Sequence, residues 1–186
     1  MTEGWPRVVS RHVNRLSPWV EIVERKVEFW PDATPETYHT VTPPDYAAIV
    51  AISPDGRFPL VRQYRPAIEA FTWELPAGMI DSSEPPEETC RRELREETGY
   101  IAGSIHPLGR SVVEAGRLGN HLHGFFVDIA GQDEANVPEP GVEVRLVTPG
   151  EFQEWIVSGK FSMQIHVGVV FQAVLRGYLK PDLTRA

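Results

Sequence analysis

The sequence predicts an α+β fold: a mixed β-sheet with helices packed against it, and a small antiparallel sheet ahead of it. Three observations predict it. Short strand-like runs separated by turn residues fill much of the first 78 positions. One helix-like stretch then interrupts them, further strands follow, and two helix-like stretches close the chain. Strands and helices do not alternate regularly, so a doubly wound parallel sheet is not expected.

The elements follow in order. "WVEIVERKVEF" (19–29) alternates loosely and reads as a strand, and "ATPETYHTVTPP" (33–44) as a second between turn residues. Residues 1–45 therefore read as N-terminal strands forming a small sheet in the same unit, with no linker to set them apart. "YAAIVAIS" (46–53) is a buried strand, and "PDG" at 54–56 turns the chain. "FPLVRQYRP" (58–66) and "FTWELPAG" (71–78) read as two more strands. The first helix follows "SSEPP": Ser82 or Ser83 can cap it, the prolines suit its first turn, and acids sit at its positive end. Gly99 stops it. Strands are expected over 104–114, 121–129 and 142–147, and helices over 149–158 and 163–179.

Composition narrows the function. A chain of 186 residues can bury a full core, and its hydrophobic and charged fractions, 41% and 24%, are ordinary. A net charge of −8 argues against a general nucleic-acid or anionic-membrane binder, both of which want a basic face. An anionic substrate stays open, because bound cations reverse a local field. Cys90 is the single cysteine, so neither an internal disulfide nor a cysteine-based zinc site is expected. The N-terminus lacks the apolar core of a signal peptide, and no run approaches the ~18 apolar residues of a membrane span. A soluble cytoplasmic protein is the expectation.

The stretch "GMIDSSEPPEETCRRELREETGY" (78–100) concentrates glutamate on a helix. Glu93, Glu96 and Glu97 share one face, where like charges at this spacing cost roughly 0.2–0.5 kcal/mol per pair. Arg91, Arg92 and Arg95 could neutralise a merely solvated face. Three carboxylates on one face also suit divalent cations such as Mg²⁺, which prefer oxygen ligands and complete their shell with water and substrate phosphates.

The spacing of the whole stretch decides between these. Gly78, Glu84, Arg92, Glu93, Glu96, Glu97 and Gly99 fall at the seven fixed positions of G-x5-E-x7-R-E-U-x-E-E-x-G-U, with Leu94 at the first apolar position. Tyr100 departs from the aliphatic residue usual at the last. The stretch resembles the Nudix box. That resemblance implies an α/β/α sandwich with a mixed sheet over residues 46–186. It also implies hydrolysis of a nucleoside diphosphate linked to some group X. By position it makes Glu93, Glu96, Glu97 and the Ala77 carbonyl ligands of Mg²⁺, for which Mn²⁺ can substitute. Gly78, Glu84, Arg92 and Gly99 would shape and brace the loop and helix.

Outside the box, "VRQYRPAIEAFTWELPAG" (61–78) and "VEVRLVTPGEFQEWIVSGKF" (142–161) resemble the ADP-ribose and nucleotide-sugar pyrophosphatase branch. The N-terminal strands fit it too, and there they exchange between subunits to form a homodimer. Gly116 stands where that branch often has a proline, which favours nucleotide sugars as a class over ADP-ribose alone. Arg62 and Arg65 point to opposite faces of a strand, and the resemblance favours Arg65 as the phosphate donor. Glu74 could bind a metal-bound water or brace Arg65. Trp19 and Tyr38 match the branch's base-stacking aromatics, with Phe29 and Trp30 as alternatives. His121 and His123 share a strand face, but no third soft ligand supports a zinc site. The general base of this branch often lies in the loop before the strand at 142–147, here "QDEANVPEPGVE", where Glu139 is the first choice and Glu143 the second. Glu97, a box residue, also stays among the catalytic candidates. The competing readings are a housecleaning nucleoside triphosphate pyrophosphohydrolase and a non-catalytic nucleotide-sensing module.

Overall fold

Ten strands and three helices form two compact units in this computed structural model, which describes residues 4–81, 83–137 and 139–186. One unit holds residues 1–45 with 112–121, and the other holds 46–111 with 122–186.

In the first unit, β1 (Arg7–Ser17), β2 (Val20–Glu28) and β3 (Glu36–Thr42) form an antiparallel sheet in that order. Sequence reading starts the first strand at 19. The earlier strand, RVVSRHVNRLS, was missed because it has no buried face to impose an alternating pattern: ten of its eleven residues are exposed.

The second unit contains two sheets. In one, the order is β7 (Ala77–Met79), β4 (Tyr46–Ile52), β9 (His121–Gln132), β8 (Tyr100–Val112). It is mixed, since β4 runs antiparallel to β7 and parallel to β9. In the other, β5 (Phe58–Arg65) lies between β10 (Glu143–Val147) and β6 (Ala70–Glu74). The strand expected over 71–78 is thus two strands in two sheets. Leu75 and Pro76 carry the chain between them, and proline cannot donate a ladder hydrogen bond.

Helices cover both faces of the mixed sheet. Alternate residues Ala47, Ile49 and Ala51 of β4 pack with Phe125, Val127 and Ile129 of β9 against Cys90 and Leu94 of α1 (Pro86–Thr98). The opposite face meets α3 (Gln164–Leu175): a β-carbon on Gly124 would lie 3.2 Å from Val169. α2 (Pro149–Ser158) packs Phe152 on Phe58 of β5 and Trp155 on Trp73 of β6, at 5.3 and 5.0 Å between ring centroids. A capping box between Thr148 and Glu151 starts α2.

Helix α1 begins differently from expectation. Pro85 is its N-cap and no side chain caps it, so Ser83 does not serve; Ser82 lies outside the described residues. Pro86 at the first position has no N–H to leave unpaired, and Glu87 and Glu88 favour the positive end. At the other end Gly99 takes φ 74°, a left-handed conformation that closes the helix. α3 ends at Leu175, short of the expected 179, because the chain there turns through Gly177 at φ 77°.

Candidate active site

The box residues meet where β7 faces α1. Gly78 and Glu93 are in close approach: a β-carbon built on Gly78 would lie 2.0 Å from the Glu93 carboxyl. Only glycine leaves room for that carboxylate.

Arg92 is the hub of the helix face. Its Nε and Nη2 donate to the two oxygens of Glu84 at 3.1 and 2.9 Å. Nη1 donates to Glu93 at 2.5 Å and to Glu96 at 3.1 Å, and Nη2 to the Met79 carbonyl at 3.3 Å. Thr89 donates to Glu84 at 2.7 Å. Hydrogen bonds from Arg92 and then Thr89 hold the Glu84 carboxyl down at about 2. Glu84 and Arg92 thus tie the start of the box to its helix.

Glu97 is 4% exposed and gripped from two elements. The Ala77 N–H donates to Oε2 at 2.9 Å and the Gln63 amide to Oε1 at 2.8 Å. Even so, burial pushes its carboxyl up to about 8, with the charges of Glu93 and Glu139 adding to the effect. Burial also raises Glu93 against the pull of Arg92, and Glu96 and Glu139 raise it further. The two buried carboxylates, Glu93 and Glu97, therefore carry too little counter-charge.

Among the described residues, no three His, Cys, Asp or Glu side chains converge tightly enough to hold a metal as they stand. Glu93 and Glu96 are turned to Arg92, and Glu97 to Ala77 and Gln63. The donor set nevertheless fits a hard divalent cation: carboxylate oxygens raised by burial, beside a backbone loop, with no soft donor among them.

One face of the β5–β6 pair extends the site. Val61, Gln63 and Arg65 share it with Thr72 and Glu74, since Val61 pairs with Glu74 and Gln63 with Thr72. Arg65 grips the fully buried Glu74 bidentately, at 2.7 and 2.6 Å, and Thr72 also donates to Glu74. Burial would raise the Glu74 carboxyl, but Arg65 and Thr72 hold it below its ordinary value. Of the two roles open to Glu74, this geometry is the bracing one. Arg65 keeps part of its guanidinium exposed, at 40% of the side chain. The Tyr46 hydroxyl is buried without a hydrogen-bond partner, and burial first, then Glu74, push it up to about 12.

Arg62, on the other face, pairs with Glu143 at 3.1 Å and stacks over Phe71. Glu143 is the first residue of β10, not part of the loop, and it pairs with Arg62. Glu139 is exposed, and its charge acts on both Glu93 and Glu97. Trp19 and Tyr38 belong to the first unit. Trp19 sits 58% exposed in the β1–β2 turn, lining a groove of about 210 Å³ with Pro18, Pro43 and Pro44. Tyr38 is on β3, donating to Glu36 at 2.9 Å and meeting Phe29 edge-on.

Two residues of this neighbourhood escape sequence reading. Gln63 had a weak signal, its shared face with Arg65. His166 had none: it arrives from α3, 91 residues after Leu75, whose N–H donates to its Nδ1 at 3.2 Å. It is 1% exposed, and burial lowers its ring to about 4.

A family model described as the NUDIX domain matches residues 42–165. An ADP-ribose pyrophosphatase of Mycobacterium tuberculosis is 50% identical over 142 residues, covering 72% of this chain and 68% of that protein. An ADP-sugar pyrophosphatase of Mus musculus is 40% identical over 101 residues, covering 52% of this chain and 43% of that one. The chain spans about half the length of several of the curated relatives it matches. The crystal structure of an ADP compounds hydrolase superposes with a TM-score of 0.79 over 95% of this chain and 96% of that one; at 17% identity it shows the shared fold. No helix among the described residues is long and apolar enough to cross a membrane.

Proposed function

The chain belongs to the Nudix family, and from that premise we propose that it hydrolyses the diphosphate of a nucleoside diphosphate linked to a sugar, ADP-ribose or another nucleotide sugar, with Mg²⁺. The observation that carries the reading is the approach of Glu93 to Gly78 and of Glu97 to Ala77, both carboxyls raised by burial, with Glu96 joined to Glu93 through Arg92. Half-identity to an ADP-ribose pyrophosphatase supports the substrate class.

Glu93, Glu96, Glu97 and the Ala77 carbonyl would hold the Mg²⁺, or Mn²⁺ in its place. When bound, such an ion supplies charge neutralisation for the diphosphate and acidifies water. Arg65 offers the exposed part of a planar, braced guanidinium to a phosphate oxygen. Glu139 is the proposed general base: it takes a proton from the water whose oxygen attacks phosphorus. Its electrostatic reach to Glu93 and Glu97 favours it over Glu143, which faces Arg62. The P–O bond of the bridging oxygen breaks, and a nucleoside monophosphate and a sugar phosphate leave. The exposed Trp19 and Tyr38 rings, with Phe29 and Trp30 as alternatives, are the proposed stacking surfaces for the base. A homodimer formed through the N-terminal strands, and a cytoplasmic location suited to a chain with one cysteine, complete the proposal.

Product analysis tests it. Purified protein with Mg²⁺ is offered ADP-ribose, other nucleotide sugars and nucleoside triphosphates, with a metal-free control. Metal-dependent release of AMP and ribose 5-phosphate is expected. Pyrophosphate released from triphosphates alone would establish the housecleaning reading instead, and tight nucleotide binding without turnover the sensing one.

A further inference from the structure

Leu75, Pro76 and Ala77 cross from one sheet of the second unit to the other, and only a few backbone groups there can join a ladder. Buried backbone groups must still be paired. Each of the three residues is tied by a different element. The Leu75 N–H donates to Nδ1 of His166 on α3 at 3.2 Å. The Pro76 carbonyl accepts from the Ile49 N–H on β4 at 3.0 Å. The Ala77 N–H donates to Glu97 on α1 at 2.9 Å. The segment is therefore held by three successive anchors, and the last of them is a carboxylate of the cluster.

We infer that His166 is a positioning residue of the cation site: by fixing the Leu75 amide it sets the Ala77 carbonyl and keeps the Ala77 N–H aimed at Glu97. The inference rests on the cation-binding part of the proposed function. A fully apolar side chain would fill the same space on α3, whose neighbouring inward residues are Val169, Val170 and Ala173. What it would lack is a neutral acceptor inside a dry wall. His166 is buried too deeply to meet solvent or substrate, and its one side-chain hydrogen bond among the described residues is the one from Leu75.

A purely structural histidine and a positioning one differ in what their loss does to the cation. His166→Asn keeps an acceptor near the position of Nδ1, and His166→Leu removes it at similar bulk. Mn²⁺ affinity is read from the free-ion electron paramagnetic resonance signal, alongside thermal melting. The Leu variant should still melt cooperatively yet bind Mn²⁺ at least ~10-fold more weakly, the usual size for losing an outer-shell partner, while the Asn variant stays within about threefold. Wild-type affinity in a folded Leu variant overturns the inference. Should that variant not fold, the wild-type protein decides: Mg²⁺ titration should shift the Leu75 amide and His166 Nδ1 resonances along one saturation curve. Unmoved resonances overturn the inference. A wild-type protein that binds Mn²⁺ but cuts no diphosphate defeats the hydrolase reading alone, and one that binds no Mn²⁺ defeats both.

Discussion

Gly78 and Glu97 carry the sharpest consequences at the scale of single residues. The atom that a Gly78→Ala methyl would strike is the far end of the Glu93 side chain, which can swing away. The fold should survive and the carboxylate should not stay put. Gly78→Ala is therefore expected to melt within a few degrees of wild type while turnover falls about 100-fold, the scale of a small misplacement in an active site. A variant that keeps both stability and turnover would show that Glu93 does not need its present position. Glu97→Gln works in the opposite sense for stability. With its folded pKa raised to about 8, Glu97 binds its proton more tightly folded than unfolded. Its contribution is fully present below the unfolded carboxylate range and is lost as pH rises through 8. A neutral Gln removes that loss, and Gln63 can turn its amide to suit. Glu97→Gln without metal should melt higher than wild type at pH 8.5, with the gap closing near pH 4, yet be nearly inactive with Mg²⁺. Equal melting at both pH values would refute the assigned burial cost. The seven box residues were legible because their spacing is local. Gln63 and His166 were not, because their roles depend on which strand or helix lies across from them.

At the scale of elements, the loop after β9 carries Glu139, the proposed general base. Arg95 donates to Asp133 at 2.9 Å and Asp133 N–H to the Gly99 carbonyl at 2.8 Å, which fasten the loop's start to the end of α1. Glu139, further along this loop, is exposed. Glu139→Gln should lower kcat by about 100-fold or more, within the range for a lost general base, while Mn²⁺ affinity changes little. A near-wild-type kcat would move the base elsewhere. Sequence reading found most strands and all three helices, since β4, β9 and α3 are apolar runs and Gly99 punctuates the first helix. It failed where a tertiary partner decides. The break at Leu75–Pro76 reflects a change of sheet.

At the scale of the molecule, β1 is the feature that single-chain packing leaves unexplained. It is 11 residues long, about twice the usual strand, and among the described residues it pairs only with β2. Val8, Val9, Val13 and Leu16 are 42–62% exposed along it. A long open edge with apolar side chains is a template for another strand unless charge protects it. Here that protection is partly cancelled, because Arg7 pairs with Glu28 and Arg15 with Glu21 across the ladder. The proposed homodimer would cover this strand. Wild-type protein should therefore sediment as a dimer at micromolar concentration. Val13→Lys combined with Leu16→Lys should convert it to monomer, at little cost to the monomer's own fold, since both side chains are already exposed. Monomeric wild-type protein would remove the dimer from the proposal. Dimeric protein insensitive to both lysines would move the interface away from β1.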